Sequence, residues 1–299
     1  MTPEPECGIC LMHWAYERLL PHTDEREAAA IGTTMLRAIK GGITPQANLG
    51  GLCNTAVYSV LPYAARAMVH YEGLKQKSNE NAKALIPEAK AFVLSGPTPR
   101  EAFGRACFLA AAGNVAPLNS PSGAYTFHEI EAVIREGSPG SSVPDDVYEA
   151  VRGARRILYV ADNAGEIGFD SLVIDLLKEM GPSITLAVKA QTFFEDATLD
   201  DARFFGLDRK VENLVTVEGF LVPSQASGEA RDALAGCDLV ISKGSGSYEA
   251  LHNEMGEKPL IVMLKVKCGP IARHTGARAG EVIVGLDKPK SPLVVEPLI

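Results

Sequence analysis

A group of polar residues follows an apolar run near the middle of the chain. The run "RILYVA" is followed by "DNAGEIGFD", which contains Asp162, Asn163, Gly165, Glu166 and Asp170. Adjacent Asp and Asn side chains offer hard oxygen ligands of the kind that Mg²⁺ and Mn²⁺ prefer. The glycine permits a tight turn from a strand into a helix. Because Asp and Asn are also common helix caps, the segment alone predicts either a cation site or an ordinary capped turn.

A second set of acids follows the apolar run "SITLAVKA". It consists of Glu195, Asp196, Asp200 and Asp201. Of the three aspartates, Asp196 lies nearest to the end of the run, so it is placed to reach the same cation as Asp162. Asp200 and Asp201 occupy early helix positions, which the helix dipole favours for acids. We therefore expect these two to be solvated or structural.

Two further apolar runs end in lysines. The first leads into "SKGSGSYEAL", whose candidate phosphate-binding residues are Lys243, Gly244, Ser245, Gly246, Ser247 and Glu249. A glycine-rich turn lets backbone N–H groups approach a phosphate, although the full nucleotide P-loop pattern is absent. The second leads into "LKVKCGPIA", where alternation predicts that Lys265 and Lys267 face the same side. One of the pair then serves the site, or both are ordinary solvated lysines.

The pattern of apolar runs predicts the elements that position these residues. Six short runs rich in Val, Ile and Leu alternate with helical patterns from about residue 151 to 299. This alternation predicts a Rossmann-like, doubly wound α/β domain with a parallel sheet covered on both faces. Such sheets bind ligands beyond the carboxyl ends of their strands. The four polar loops should therefore meet at one edge, with oxygens for a metal facing lysines and N–H donors, an arrangement suited to a phosphate ester.

Residues 1–150 are predicted to form a helical domain. In "ICLMHWAYERLL" helical spacing places Ile9, Met12, Tyr16 and Leu19 on one face. Later helical segments are expected to be bent or interrupted at Pro62 and Pro87. A segment rich in Gly, Ser and Pro, beginning near residue 138, predicts a linker or surface loop before the second domain.

Composition excludes several classes of protein. The net charge of −8 argues against a nucleic-acid-binding surface, and no apolar run approaches the length of a membrane span. The N-terminal segment lacks the pattern of a secretory signal, so a cytoplasmic location is expected. The six cysteines are scattered and are not expected to form a disulfide framework. Cys7 and Cys10 form one C-x-x-C, half of a usual zinc site, so they predict either buried thiols or a second metal, with His13 as an incidental neighbour.

Taken in order, these motifs resemble those of the metal-dependent damage-control phosphatases, a family long catalogued as a domain of unknown function. The resemblance rests on "DNAGEIGFD", "DATLDDA", "SKGSGSYEAL" and "LKVKC" in the second half of the chain. In the first half, "CGIC", "LKQKSNENAKAL" and "AAAGN" are similar to further family motifs. The resemblance covers nearly the whole chain and is most specific over residues 160–268.

The resemblance implies a helical domain packed on a Rossmann-like metal-binding domain. It also implies hydrolysis of small phosphorylated metabolites, such as sugar phosphates or phosphopantetheine derivatives, with a divalent ion such as Mn, Mg, Co or Ni. The family's metal ligands correspond to Asp162, Asn163 and Asp196. Its phosphate-side lysine corresponds to Lys267 and its K-G turn to Lys243 and Gly244. Asn114 corresponds to the family's G-N motif, which approaches the site from the helical domain.

Three departures from the family pattern concern the substrate side of the site. Ser245 and Ser247 stand where the family commonly has larger amides, Pro117 replaces an acid, and Glu195 replaces an Asn. None of these changes removes an implied metal ligand. The substrate and the rate of turnover therefore do not follow from the resemblance.

The hypothesis from the sequence is a metal-activated hydrolysis. Lys243, Lys267 and the glycine-rich turn would stabilise the phosphoryl oxygens. Either Glu166 or Asp170 would orient the attacking water, and the sequence does not choose between them. Two alternatives remain open at this stage. One is a carboxyl methyltransferase dependent on S-adenosylmethionine, which a Rossmann-like sheet also fits, and the other is a catalytically silent protein that binds a metal or ligand.

Overall fold

The computed structural model describes residues 1–114, 126–136 and 143–287. Its helices are α1 (Pro5–Leu19), α2 (Glu25–Gly42), α3 (Leu49–Val60), α4 (Ala65–Leu94), α5 (Pro99–Ala112), α6 (His128–Glu136), α7 (Asp145–Gly153), α8 (Glu166–Met180), α9 (Leu199–Phe204), α10 (Gly228–Gly236), α11 (Gly244–Leu251) and α12 (Gly269–Thr275). Its strands are β1 (Arg156–Val160), β2 (Ser183–Lys189), β3 (Asn213–Val217), β4 (Leu239–Lys243), β5 (Leu260–Lys265) and β6 (Val282–Asp287). The predicted linker lies largely outside the described residues, as does Pro117.

The six strands form one sheet in the order β3-β2-β1-β4-β5-β6. Strands β1 to β5 are parallel, as predicted, whereas β6 is antiparallel to β5. The prediction of a wholly parallel sheet is therefore wrong at this edge. The chain returns to the end of β5, where the N–H of Val266 donates to the carbonyl oxygen of Glu281 at 2.8 Å. A run of residues buried on both faces carries no information about strand direction, so the sequence pattern does not distinguish the two cases.

Successive residues of each strand belong to two hydrophobic cores, one on each face of the sheet. In β1, Ile157 and Tyr159 pack with α5 and α8, while Leu158 and Val160 pack with α1, α2 and α3. This alternation follows from the two-residue period of a strand. Helix α4 contributes to both cores, so the helices before residue 150 cover both faces of the sheet. The mixed α/β fold is the predicted one, and the division at residue 150 stays a prediction.

The buried face of α1 differs from the predicted one. Ile9 and Tyr16 are 73% and 60% exposed, whereas the helix buries Cys7, Leu11 and Ala15 together with Leu19, which was predicted to be buried. The segment is apolar around most of its circumference, so helical spacing allows more than one apolar stripe. Packing against α2 and α3 decides between them.

Of the two prolines expected to bend or interrupt helices, only one interrupts a helix. A 3-10 turn at Leu61–Tyr63 separates α3 from α4 around Pro62, as expected. Pro87 lies inside the 30-residue α4, which continues past it. The proline is on the exposed side of the helix, and buried residues Ala82 and Ala89 hold the helix on either side. Tertiary packing thus outweighs the lost hydrogen bond. Within the described residues, no helix is both long and apolar enough to cross a membrane.

Candidate active site

The candidate site lies where the connections of the sheet change direction. Strands β1 and β4 are neighbours, and the chain leaves them towards opposite edges of the sheet. Asp162 follows β1, and Gly244 follows β4. Open α/β sheets bind their ligands at this point, beyond the carboxyl ends of the strands.

Backbone hydrogen bonds join the two loops that carry the predicted metal ligands. The N–H of Ala197 donates to the carbonyl oxygen of Asp162 at 2.7 Å, and the N–H of Ala164 donates to that of Glu195 at 2.8 Å. Asn163 and Asp196 form an isolated antiparallel bridge. The structure thus brings Asp196 next to Asp162 and Asn163, from which the sequence separates it by more than thirty positions.

Two asparagines connect the first of these loops to Glu166. The Nδ2 of Asn114 donates to Asp162 Oδ2 at 2.6 Å and to Glu166 Oε2 at 3.0 Å. The Nδ2 of Asn163 donates to Glu166 Oε1 at 2.9 Å. Glu166 therefore fixes the orientation of the Asn163 amide. The predicted approach of Asn114 from the helical half of the chain is present in the structure.

A fully buried ion pair lies beneath the loops. Lys243 and Asp170 are both 0% exposed, with Lys243 Nζ 2.7 Å from Asp170 Oδ1. The hydroxyl of Tyr159 donates to the same oxygen at 2.8 Å. Lys243 is also 3.9 Å from Glu166 Oε2. This geometry differs from the expectation that Lys243 contacts a phosphate and that Asp170 orients water, because both groups are occupied with each other below the site.

A cavity of about 370 Å³ opens above the metal-ligand loops. Of the residues predicted for the site, it is lined by Asp162, Asn163, Asp196, Ser245, Gly246, Glu249 and Lys267. Its apolar wall is formed mainly by Leu11, Trp14, Val57, Phe193, Phe194 and Phe220. Glu166, Asp170, Lys243 and Ser247 are buried and lie outside this lining. The two candidates for orienting water are thus both screened from the cavity.

The two lysines that follow β5 have different surroundings, contrary to the prediction. Lys265 forms an ion pair with Glu129 of α6, whereas Lys267 lines the cavity. Lys265 belongs to the strand and Lys267 lies two residues beyond its end, so the strand's alternation no longer applies. Burial lowers the pKa of Lys267, while the Glu166 and Asp162 carboxylates oppose that effect.

Lys189, which was not predicted from the sequence, forms an ion pair with Asp196. Its Nζ lies 3.1 Å from Asp196 Oδ2 and donates to the carbonyl oxygen of Gly219 at 2.6 Å. The ammonium also lies 4.6 Å from the ring centre of Phe220. Lys189 ends β2, so its position at the carboxyl end of a predicted strand was the available signal.

Arg18 is a second buried cation that the sequence analysis did not select. Its Nη2 lies 2.9 Å from Glu195 Oε1, and both side chains line the cavity. Glu195 is the residue that replaces the family's Asn. Glu195 thus pairs with a residue of α1, and no local sequence signal identifies Arg18 as its partner.

Helix α4 contacts both ligand loops through Asn79, in the segment Ser78-Asn79-Glu80. Asn79 accepts a hydrogen bond from the N–H of Gly165 at 2.6 Å and donates to Asp201 at 2.7 Å. Lys75 forms an ion pair with Asp201 at 2.8 Å. Asp201 is therefore structural, one of the two roles expected for it, whereas the side chain of Asp200 is 91% exposed.

The predicted second metal site lies on the wall of the same cavity. Cys7, Cys10, Cys53 and Cys268 all line it as free thiols. Burial raises the pKa of Cys10 to about 12 and that of Cys268 to about 11. His13 instead contacts Glu17 at 3.9 Å. Among the described residues, no three His, Cys, Asp or Glu side chains are grouped to hold a metal ion, so a metal at Cys7 and Cys10 stays a prediction.

The carboxylates around the loops lie in an environment that favours their neutral form. Burial, with a smaller contribution from the nearby Asp162, raises the pKa of Glu166 to about 8. Burial also raises the pKa of Asp196 to about 7, against the effect of Lys189. The pKa of Asp162 is raised in the same way, with Lys267 opposing the change. Such a concentration of buried carboxyl groups is stabilised in its charged form by a cation.

The side chains present fit a divalent cation. Asp196 Oδ2 is buried and makes no hydrogen bond within the described part of the chain, even though Lys189 lies near it as an ion pair. Asp162, Asn163 and Asp196 together offer two carboxylates and one amide, all hard oxygen donors suited to Mg²⁺ or Mn²⁺. Gly244 makes room for this arrangement, because a Cβ there would lie 1.9 Å from Asp162 Oδ2.

The family model of the damage-control phosphatase ARMT1-like domain matches residues 4–283. The chain belongs to this family. Among other members, a damage-control phosphatase of Archaeoglobus fulgidus is 27% identical over 299 aligned positions, which cover 95% of this chain and 98% of that protein. An uncharacterized protein of Methanocaldococcus jannaschii is 27% identical over 292 positions, covering 94% of each chain.

The crystal structure of a DUF89 family protein, PH1575 from Pyrococcus horikoshii, shares the fold. It superposes with a TM-score of 0.77 at 21% identity, covering 96% of this chain and 100% of that one. The resemblance to damage-control phosphatases that the sequence motifs indicated is thus confirmed. Membership of the damage-control phosphatase family supports a phosphatase role for this chain.

Proposed function

We propose that this protein is a divalent-metal-dependent phosphatase that hydrolyses small phosphorylated metabolites. The observation that carries the proposal is the joining of Asp162, Asn163 and Asp196 by backbone hydrogen bonds at the floor of a cavity. A divalent ion, when bound there, supplies Lewis-acid chemistry by neutralising phosphoryl charge and making water a better nucleophile.

The remaining residues of the site bind and orient the phosphoryl group. Lys267 lines the cavity beside the ligand loops, and its ammonium would pair with a phosphoryl oxygen. Helix α11 begins at Gly244, against Asp162, so its first N–H groups offer a second anion-binding element. Ser245 and Gly246 line the cavity directly after this turn.

The buried groups below the cavity would act by positioning. Glu166 accepts hydrogen bonds from Asn114 and Asn163, so it would orient the amide ligand. Asp170 balances the charge of Lys243, which in turn lies near Glu166. We assign water orientation to neither Glu166 nor Asp170, because neither lines the cavity.

The cavity limits the substrate to a small ester with an apolar or mixed organic group. Its volume of about 370 Å³ lies at the lower end of the range for small-molecule sites. The aromatic residues Trp14, Phe193 and Phe220 form one wall. Arg18 and Glu195 supply polar atoms at that wall.

The test is phosphate release from a panel of phosphate monoesters with Mg²⁺, Mn²⁺, Co²⁺ or Ni²⁺ added to metal-free protein. We expect metal-dependent hydrolysis by the wild type and a loss of at least a hundredfold in Asp162→Ala. Calorimetric titration with Mn²⁺ should show weakened binding in the same variant. Hydrolysis and Mn²⁺ binding that both survive Asp162→Ala would overturn the proposal.

A further inference from the structure

Glu249 is a carboxylate on the cavity wall with no hydrogen-bond or ion-pair partner for its side chain among the described residues. It lies in α11 and is only partly buried, with the cavity in front of it. In the described part of the chain its carboxylate makes no hydrogen bond and no ion pair. The other acids that line the floor differ in this respect, since Asp196 is paired with Lys189 and Glu195 with Arg18.

Glu249 lies one helical turn beyond Ser245 on α11. Ser245 and Glu249 are four residues apart, so they share one face of the helix, and both line the cavity. The helix begins at Gly244, against Asp162, where the phosphoryl group would bind. Four residues span about 6 Å along a helix, and side chains lean towards its N-terminus. The carboxyl group of Glu249 therefore lies about one helical turn along the cavity wall from Ser245, where it would reach the ester oxygen of a phosphoryl group bound at the start of α11.

The other proton donors near the cavity are less suited to this position. The thiols of Cys10 and Cys268 have pKa values raised to about 12 and about 11, mainly by burial, and so are weak acids. His13 also lines the cavity, but it lies on the exposed side of α1 and contacts Glu17. Glu6 is paired with Arg273 at the surface.

We propose that Glu249 is the general acid that protonates the leaving alcohol of the phosphate ester. This inference rests on the proposed phosphatase function. Water adds to phosphorus, and the bond from phosphorus to the ester oxygen breaks with its electron pair going to that oxygen. The same oxygen takes the proton of Glu249, which gives the free alcohol. The incoming water releases one proton, which returns through solvent to the Glu249 carboxylate, so Glu249 is restored and inorganic phosphate is formed.

The surroundings of Glu249 keep it protonated near neutral pH. Burial raises its pKa to about 7, with Asp162 adding to the rise and the amino group of Met1 opposing it. The other titratable groups that interact with Glu249 are thiols: Cys7 and Cys10 of α1, Cys53 of α3 and Cys268 before α12. A general acid works best when its pKa lies near the working pH.

The test compares two esters whose leaving groups differ in basicity. Glu249→Gln keeps the size of the side chain and removes its acidic proton. For an alkyl phosphate, whose alkoxide must be protonated, kcat/KM should fall about a hundredfold or more, within the usual range for general acid catalysis. For 4-nitrophenyl phosphate, whose phenolate leaves without a proton, the fall should be less than about tenfold. Wild-type kcat/KM on the alkyl ester should also decline as Glu249 loses its proton at alkaline pH, and Glu249→Gln should lack that decline.

Controls separate this role from binding or folding. Glu229→Gln, at an exposed position on α10, should match the wild type on both esters, and Mn²⁺ affinity in Glu249→Gln should be unchanged. An equal loss on both esters, or no loss on the alkyl ester, would overturn the general-acid role while leaving the phosphatase function intact. A wild-type protein that hydrolyses neither ester with any of the metals would overturn the phosphatase function itself, and the general-acid role with it.

Discussion

Lys189 and Asp196 form an ion pair inside the protein, with Lys189 Nζ 3.1 Å from Asp196 Oδ2 and the two residues 3% and 8% exposed. The lysine ends one strand, and the aspartate lies in the loop that follows it. Lys189 Nζ also donates to the carbonyl oxygen of Gly219 and lies over the ring of Phe220, both in another loop. One ammonium therefore connects a candidate metal ligand to the cavity wall. Among the described residues, it is the cation that pairs with Asp196.

We expect Lys189→Met to destabilise the metal-free protein by about 3 to 5 kcal/mol at pH 8, because removing one member of a buried pair leaves the other charge uncompensated. The measurement is urea unfolding followed by circular dichroism. Lys189→Met combined with Asp196→Asn should recover part of this loss, since no uncompensated charge remains. If the two single effects simply added in the double variant, the pair would not be coupled.

Gly244→Ala should abolish Mn²⁺ binding, because its Cβ would lie 1.9 Å from Asp162 Oδ2 and would displace that ligand. Gly228→Ala is a matched control, because Gly228 is also the first residue of a helix with a positive φ but has open space around it. Both variants should lose about 1 to 3 kcal/mol of stability to backbone strain, and Gly244→Ala should lose more because of the collision. Calorimetric titration with Mn²⁺ should distinguish them, and similar binding by both would refute the expected collision.

Asn79→Ala should weaken Mn²⁺ binding about ten- to a hundredfold, the usual effect of removing a group that orients metal ligands. Asn79 accepts a hydrogen bond from the N–H of Gly165 and donates one to the carboxylate of Asp201. Its loss therefore removes hydrogen bonds from α4 to both ligand loops. Gln76→Ala, on an exposed position of the same helix, is the control. Equal affinity in Asn79→Ala and wild type would show that the loops need no support from α4.

Glu249 should make the stability of the metal-free protein depend on pH. Its pKa is raised from 4.5 to about 7 in the folded protein, mainly by burial, so the folded state binds the proton more tightly than the unfolded state. The resulting stability is fully present below pH 4.5 and is lost as pH rises to about 7, with a magnitude of at most about 3 kcal/mol. Glu249→Gln stays neutral at every pH, so its unfolding free energy should fall less than that of the wild type between pH 5 and pH 8. Parallel urea-unfolding curves for the two proteins would contradict the raised pKa.

The sequence motifs predicted the loops of the candidate site more accurately than helical periodicity predicted which helix faces are buried. All six strands and the loops after β1, β2 and β4 could be predicted, because buried strands are short apolar runs and the polar residues follow them directly. The buried face of α1 could not, because Ile9 and Leu11 both fit a helical apolar stripe and only contact with α2 and α3 selects between them. The direction of β6 was equally hidden, since an apolar run has the same composition in either direction.

The sequence by itself determined the family and the order of the strands' polar loops, and it predicted three oxygen ligands for a metal. Only the tertiary structure decided what each charged side chain faces. It buried Lys243 against Asp170, directed Lys267 into the cavity, and paired Lys189 with Asp196 and Arg18 with Glu195. The physical reason is that local sequence fixes where a residue lies along a strand or helix, whereas its charge partner is set by the packing of segments distant in the chain. Burial then turns those pairings into large changes in pKa and stability, which no local pattern contains.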